Sequence, residues 1–305
     1  MNSNAPLKGA LFAVAAAALN GSIGTFSKTL FANSISAEWT AFIKSATGWA
    51  ILLIVLGALK SQKKSEVQRK IKSLHVALAA LFGIFTLFYF ETAAYKEIST
   101  ANAVIILMAA SSATANFTGR WLLGDPVTRS QWLGLAITSL GIAAITGIDG
   151  RINLSGLTQA ACAGIGYGIF TVLLKKYNLK GSFALTRQLL FFGTIYLIAP
   201  ASTQAIDTHI LRNPNVIFTF LALAIFPSIL GFFCTTNAVN YLSPAKVQLL
   251  ELSEPIFAAA FAYFFLGESV TLRTALGSAL VLWGIYLGTG IRQALLTPVR
   301  APSGV

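Results

Sequence analysis

Between Arg212 and Lys246 the chain carries no charged side chain, and most of that stretch is Ile, Phe, Leu, Ala and Val. A helix needs about 20 apolar residues to cross a hydrocarbon core of ~30 Å, at roughly 1.5 Å per residue. The run exceeds that length, and similar runs recur from one end of the chain to the other. Charged residues make up 10% of the 305, apolar residues 55%, and the mean hydropathy is +0.72. A water-soluble domain carries roughly a quarter charged residues, so this chain lacks the residues for a hydrated shell. Backbone groups in lipid must pair within their own segment or around a closed barrel. The runs are continuous and show no strand-like alternation. The expected fold class is therefore all-α: a polytopic membrane protein.

Reading from charge to charge, the sequence predicts ten transmembrane helices at roughly 8–31, 39–59, 74–95, 102–120, 130–147, 154–175, 184–200, 215–240, 245–266 and 272–291. Pro227 is expected to kink the eighth helix and Pro244 to start the ninth. The Ala-rich stretch after Lys8 could pass for a secretory signal, but it runs on without a convincing cleavage site to Lys28 and reads as the first membrane helix.

The formal charge is +12, which in a soluble chain would point to nucleic acid. Here the cations sit in short segments between apolar runs, the pattern of cytoplasmic loops. With the N-terminus inside, those loops hold Lys60 to Lys72, Arg120 and Arg129, then Lys175, Lys176 and Lys180, with Arg292 and Arg300 in the tail. The opposite loops hold only Lys96, Arg151, Arg212 and Arg273. Both termini are expected to be cytoplasmic, in a multi-pass inner-membrane protein that does not bind nucleic acid. Cys162, Cys234, His75 and His209 lie in or beside apolar runs, without the spacing of a metal site or a disulfide framework. No phosphate loop or nucleophile–base motif occurs, so neither a cofactor nor an enzymatic activity is expected.

The chain contains a duplication. Leu122-Leu123-Gly124-Asp125, Val127-Thr128, Gly134 and Gly141 return at constant offset as Phe265-Leu266-Gly267-Glu268, Val270-Thr271, Gly277 and Gly284. The same offset pairs Phe90 with Phe233 and Val104 with Val247. The units are a first five-helix repeat at 1–150, a second at 151–291 and a tail at 292–305. An odd number of helices per repeat inverts the second copy in the membrane, an arrangement that recurs in alternating-access transporters.

These residues resemble the EamA family of the drug/metabolite transporter superfamily over nearly the whole chain. The match is strongest at Glu254-Pro255 with the apolar run to Leu266-Gly267-Glu268-Ser269-Val270-Thr271, then Gly277 and Gly284. Gly21 and Lys28 also fit, Lys44 stands where the family often has arginine, and Asn20 where it often has tryptophan. The resemblance implies ten helices in an inverted five-plus-five arrangement around a central substrate cavity. It also implies a small-molecule substrate and contacts between protomers through helices five and ten. Gly284 and Gly288 would suit such a homodimer, and packing within one chain would use them equally well.

An ionisable group inside a membrane helix costs about 2.5–3.5 kcal/mol near the centre, so such residues mark candidate pathways. Lys28, Lys44, Glu91, Lys246, Glu251 and Glu254 qualify. Lys246 can snorkel to the interface. Lys28 and Lys44 can do the same, or anchor a substrate carboxylate at a cavity mouth. Glu91 either pairs with Lys28 or Lys96 at the outer boundary or recognises an amine. Glu251 and Glu254 lie three apart on one helix face, with Gln248 one turn earlier. Two carboxylates that close in a low dielectric do not both ionise readily, which suits proton coupling. A structural role for Glu254 competes with that reading. Tyr89, Tyr95, Tyr167, Phe170 and Tyr241 supply a candidate pocket wall, with Asn20, Asn237 and Asn240 as polar partners. The function expected is secondary transport of a small polar or zwitterionic metabolite, an amino acid or relative, in the export direction. Uptake, uncoupled facilitation and a lipid-modifying membrane enzyme are the competing readings.

Overall fold

The computed structural model describes residues 5–59, 73–98, 100–125, 128–146, 153–266 and 272–289. The basic stretch from Lys60 to Lys72, Val127, Arg151, the Gly267-to-Thr271 copy of the acidic turn and the 292–305 tail lie outside them. All regular structure among the described residues is helical.

The helices are α1 (Ala5–Asn20), α2 (Ile23–Ala32), α3 (Ala37–Leu59), α4 (Ser73–Ala80), α5 (Leu87–Glu97), α6 (Thr100–Leu123), α7 (Arg129–Thr146), α8 (Leu154–Lys176), α9 (Phe183–Ser202), α10 (Pro214–Leu223), α11 (Phe232–Tyr241), α12 (Pro244–Glu251), α13 (Glu254–Leu266) and α14 (Leu272–Thr289). Two wider π-helical turns join neighbours into longer rods: Leu81–Thr86 between α4 and α5, and Ala224–Gly231 between α10 and α11. Among the described residues, six segments are long and apolar enough to cross a membrane: Ala5–Ala32, Ala37–Ala58, Ser73–Glu97, Leu154–Lys176, Phe183–Ser202 and Pro214–Tyr241. The rods α6 and α12–α13 carry polar side chains that the fold buries: Ser111, Ser112 and Asn116, and Gln248, Glu251 and Glu254.

Local chemistry explains where these rods stop and break. Pro244 opens α12, as the sequence predicts. Pro227, with no N–H to donate, sits inside the second π turn, where the α-helical bonding pattern is interrupted. Pro255 likewise lacks the donor one residue into α13, at the break from α12. Ser182 accepts from the Leu185 amide and Asn153 from the Gly156 amide at helix starts. The helix ends of α2 and α8 repeat one another in detail. Each has a left-handed residue, Ser34 at φ 60° or Asn178 at φ 50°. Each closes with the following amide on a carbonyl five residues back, Ile35 on Leu30 and Leu179 on Leu174.

The repeats are interlocked. α1 packs against α11, α12 and α13, and α8 packs against α5 and α6. Glycines mark matched approaches. A Cβ on Gly9 would meet Tyr241 and Leu242, and one on Gly156 would meet Glu97 and Ile98. A Cβ on Gly21 would meet Phe257 and Ala258, and one on Gly168 would meet Thr114 and Ala115. α3 and α9 form another cross-repeat pair, and so do α7 and α14. Gly134 faces Gly284 and Gly288 there, and Gly141 faces Gly277. The glycines considered for contact between protomers are thus occupied within the chain.

Ionisable side chains are buried beside an apolar core while large apolar side chains face outward. Lys44, Glu91, Gln248, Glu251 and Glu254 are buried, while Ile54, Phe117, Phe218, Phe264 and Leu282 are exposed. Trp121 is exposed too, and Trp39 donates from Nε1 to the Gln204 carbonyl at a rod end.

Candidate functional site

The interruptions in the rods converge on one place. Asn20 is the last residue of α1, Ser228 lies in the second π turn, Phe232 begins α11, and Glu254 begins α13. Together with Lys44, Phe88, Glu91, Met108 and Tyr167 they line a cavity between the two repeats. The enclosed space holds about one water molecule.

One wall carries an ion pair. Lys44 Nζ lies 3.4 Å from Glu91 Oε2, and both side chains are within 5% of complete burial. The ammonium also donates to Thr92 Oγ1 and sits 4.1 Å above the centre of the Phe88 ring. Tyr95 donates to the other Glu91 oxygen at 3.2 Å. Glu91 is therefore held by two donors deep in the protein. Its partner is Lys44 and not Lys28 or Lys96 at the boundary, because α3 and α5 pack side by side while Lys28 and Lys96 are exposed. Removing either member would strand a buried charge.

The facing wall is built differently. Glu254 borders the cavity and has no hydrogen bond or ion pair among the described residues. Asn20 also borders it, and its Oδ1 is buried without a partner. Glu251 lies behind the wall. Its Oε1 accepts from Thr235 Oγ1 at 2.7 Å, and Thr235 is 3.0 Å from the Tyr167 hydroxyl. Its Oε2 has no partner, nor do Oε1 and Nε2 of Gln248 one turn earlier. Phe88 and Phe232 meet edge to face at 5.4 Å between the walls.

Of the residues singled out from sequence, Asn20, Lys44, Glu91, Tyr167 and Glu254 come together at the cavity, and Tyr95 and Glu251 attach to its rim by hydrogen bonds. Phe170 is fully buried behind it, stacked on Tyr167 and fitted against Gly83. Tyr89 stacks on Phe85 away from the lining. Asn237 donates to Phe233 of its own helix, and Asn240 accepts from the Gly181 amide at the rod end. Tyr241 is 41% exposed and stacks on Phe12, and Lys28 is exposed. None of these six borders the cavity, because each lies on another face or nearer an end of its rod. Sequence reasoning passed over Phe88, Phe232, Ser228 and Thr235. Thr235 did leave a signal, since Thr235-Thr236 interrupts the apolar run with two adjacent hydroxyls.

An apolar-walled chamber with buried charges, enclosed between two interlocked helical repeats, defines a multi-pass membrane transporter. The profile of the EamA-like transporter family matches residues 7–147 and again 154–289, and the chain belongs to that family. It is 26% identical over 224 residues to an uncharacterized transporter of Archaeoglobus fulgidus, covering 71% of this chain and 76% of that one. It is 22% identical over 280 residues to the uncharacterized transporter YwfM of Bacillus subtilis, covering 91% and 92%. A protein of known crystal structure superposes with a TM-score of 0.70 at 15% identity, over 95% of this chain and 100% of its own.

Proposed function

We propose that the chain is a secondary transporter that exports a small zwitterionic metabolite, an amino acid or a relative, across the inner membrane by alternating access. The observation that carries this reading is the opposed chemistry of the cavity walls. An ammonium, Lys44, lies on one side, and a carboxylate without a partner, Glu254, with the free Asn20 Oδ1, on the other. A substrate carboxylate can compete with Glu91 for Lys44 while its amine takes Glu254 and Asn20. Phe88, Phe232 and Tyr167 supply the apolar wall.

In this reading all ten rods span the bilayer as two inverted five-helix repeats, 1–150 and 151–291. The matched glycine approaches and the matched ends of α2 and α8 support it. Cytoplasmic termini follow from charge, since Lys8, Lys175, Lys176 and Lys246 belong to one end of the bundle, where Gly9 meets Tyr241 and Lys175 reaches Val239. A homodimer would use the outward faces of α7 and α14, where Trp132, Leu140, Trp283 and Tyr286 are exposed. Glu251 is the proton-coupling residue, with Glu254 at the substrate.

The test is flux of radiolabelled alanine, leucine, threonine, lysine and glutamate in proteoliposomes. A pH gradient should drive accumulation of at least one zwitterion, and Glu251→Gln should abolish that drive while counterflow persists. No flux of any of the five, with turnover of bilayer lipid instead, sinks the reading in favour of an enzyme. Gradient dependence unaltered in Glu251→Gln removes Glu251 from coupling.

A further inference from the structure

Glu251 does not border the cavity, and the connection between them is specific. Thr235 Oγ1 lies 2.7 Å from Glu251 Oε1 and 3.0 Å from the Tyr167 hydroxyl, and Tyr167 does line the cavity. Thr235 and Glu251 are essentially inaccessible from outside, at 1% and 0% exposure. The second carboxylate oxygen, Oε2, has no partner. From these contacts we infer that the hydroxyls of Tyr167 and Thr235 form a two-step proton relay through which Glu251 exchanges protons with the cavity. The inference rests on the coupling role proposed for Glu251 and adds the route.

Each relay step conserves its atoms. A proton arrives from the cavity on the Tyr167 oxygen, and the Tyr167 hydroxyl proton passes to Thr235 Oγ1. The proton that Thr235 already directs at Glu251 then moves to Oε1. Each hydroxyl gains one proton and loses one, and the carboxylate ends as a neutral acid. The reverse sequence empties it. Both steps lie at hydrogen-bond distance, the geometric requirement for transfer. The arrangement separates proton from substrate: the metabolite meets Lys44 and Glu254, while the proton is stored one layer behind them.

Other titratable groups face this site from several elements. They are Tyr167 on α8, Cys234 on α11 and Glu254 on α13, with Lys44 on α3 and Glu91 on α5 across the cavity. Lys8 on α1, Arg120 on α6, Arg129 on α7 and Lys175 and Lys176 on α8 are exposed near the helix ends. Tyr167 also lies within reach of Glu251 itself, and the Thr235 hydroxyl bridges the two at hydrogen-bond distance.

The experiment is time-resolved infrared spectroscopy of the purified full chain after a jump to acid pH, which needs no substrate. The carboxylic acid band of Glu251 is identified by its loss in Glu251→Gln. Thr235→Val keeps the shape of the side chain and removes the hydroxyl, so the band should rise about a hundredfold more slowly. Thr235→Ser restores a hydroxyl and should restore the rate. An unchanged rate in Thr235→Val overturns the relay, and so does a Thr235→Ser rate as slow as that of Thr235→Val. Proteoliposome flux separates this failure from failure of the coupling itself. If Glu251→Gln loses gradient-driven flux while Thr235→Val keeps it, coupling stands and the relay falls.

Discussion

The helix pair α6–α8 and the broken pair formed by α1–α2 against α12–α13 are the same duplicated contact built twice. In the first, both helices are continuous, and α8 comes so close that a Cβ on Gly164 would lie 2.2 Å from the Leu107 carbonyl. In the second, Gly21 repeats the approach of Gly168, but each rod is interrupted beside the contact. Ser112 in α6 stands at the repeat position of Pro255, and Met108 and Ser111 at those of Glu251 and Glu254. One proline and two carboxylates thus separate a strut from a site. Interruptions release backbone groups that a continuous helix would pair, and those at Asn20, Ser228 and Glu254 border the cavity.

The largest expected effect is on the ion pair across α3 and α5. Lys44→Met leaves Glu91 buried and unpaired, and should cost about 3–5 kcal/mol of stability in detergent. The double variant Lys44→Met, Glu91→Gln should recover most of that cost while remaining inactive. Recovery of transport would show that neither charge meets substrate. Next comes the strut. Gly164→Ala places a methyl against backbone and should cost about 1–3 kcal/mol, read as a lower unfolding temperature. Ala17, at the corresponding place in α1, is fully buried and already carries that methyl, so Ala17→Gly should cost no more than about 1 kcal/mol. If the two replacements are equally harmful, the distinction between tight and open pairs fails. The smallest stability change, and the most telling, is Pro255→Ser, which copies the strut's residue into the site. Joining α12 to α13 should raise stability by about 1 kcal/mol and lower transport. A more active variant would mean that the break serves another purpose.

The rods were legible in the sequence because bilayer thickness and charge placement bound them on their own. Pro244 and Pro227 act where a chain without amide donors must act. The site was legible only in its ingredients. Lys44 and Glu91 are far apart along the chain, and no local rule pairs them. Glu251 and Glu254 lie three apart, so helical periodicity places them on one face; the interruption before Glu254 instead sends one to the cavity and the other behind Thr235. Pro255 stood in plain view as a family motif, while its effect on the helix was the structural fact that mattered. Asn240 and Tyr241 have the right chemistry for a pocket but sit at a rod end, and depth along a rod is set by how rods are registered against one another, which no residue type encodes.

The seam between α7 and α14 has a mechanical consequence. It joins the repeats through glycine-to-glycine contact, with a Cβ on Gly134 only 2.6 Å from the Gly284 carbonyl. Surfaces that close cannot slide over one another without climbing, yet they can roll. Such a seam behaves like the spine of a book. Pages near it hardly move when the cover swings, and travel grows with distance from the binding. α3 and α9 form a second seam between the repeats, where Ser45 bonds to Leu190 and Thr194, and labels placed across it would report whether it opens as the first one rolls.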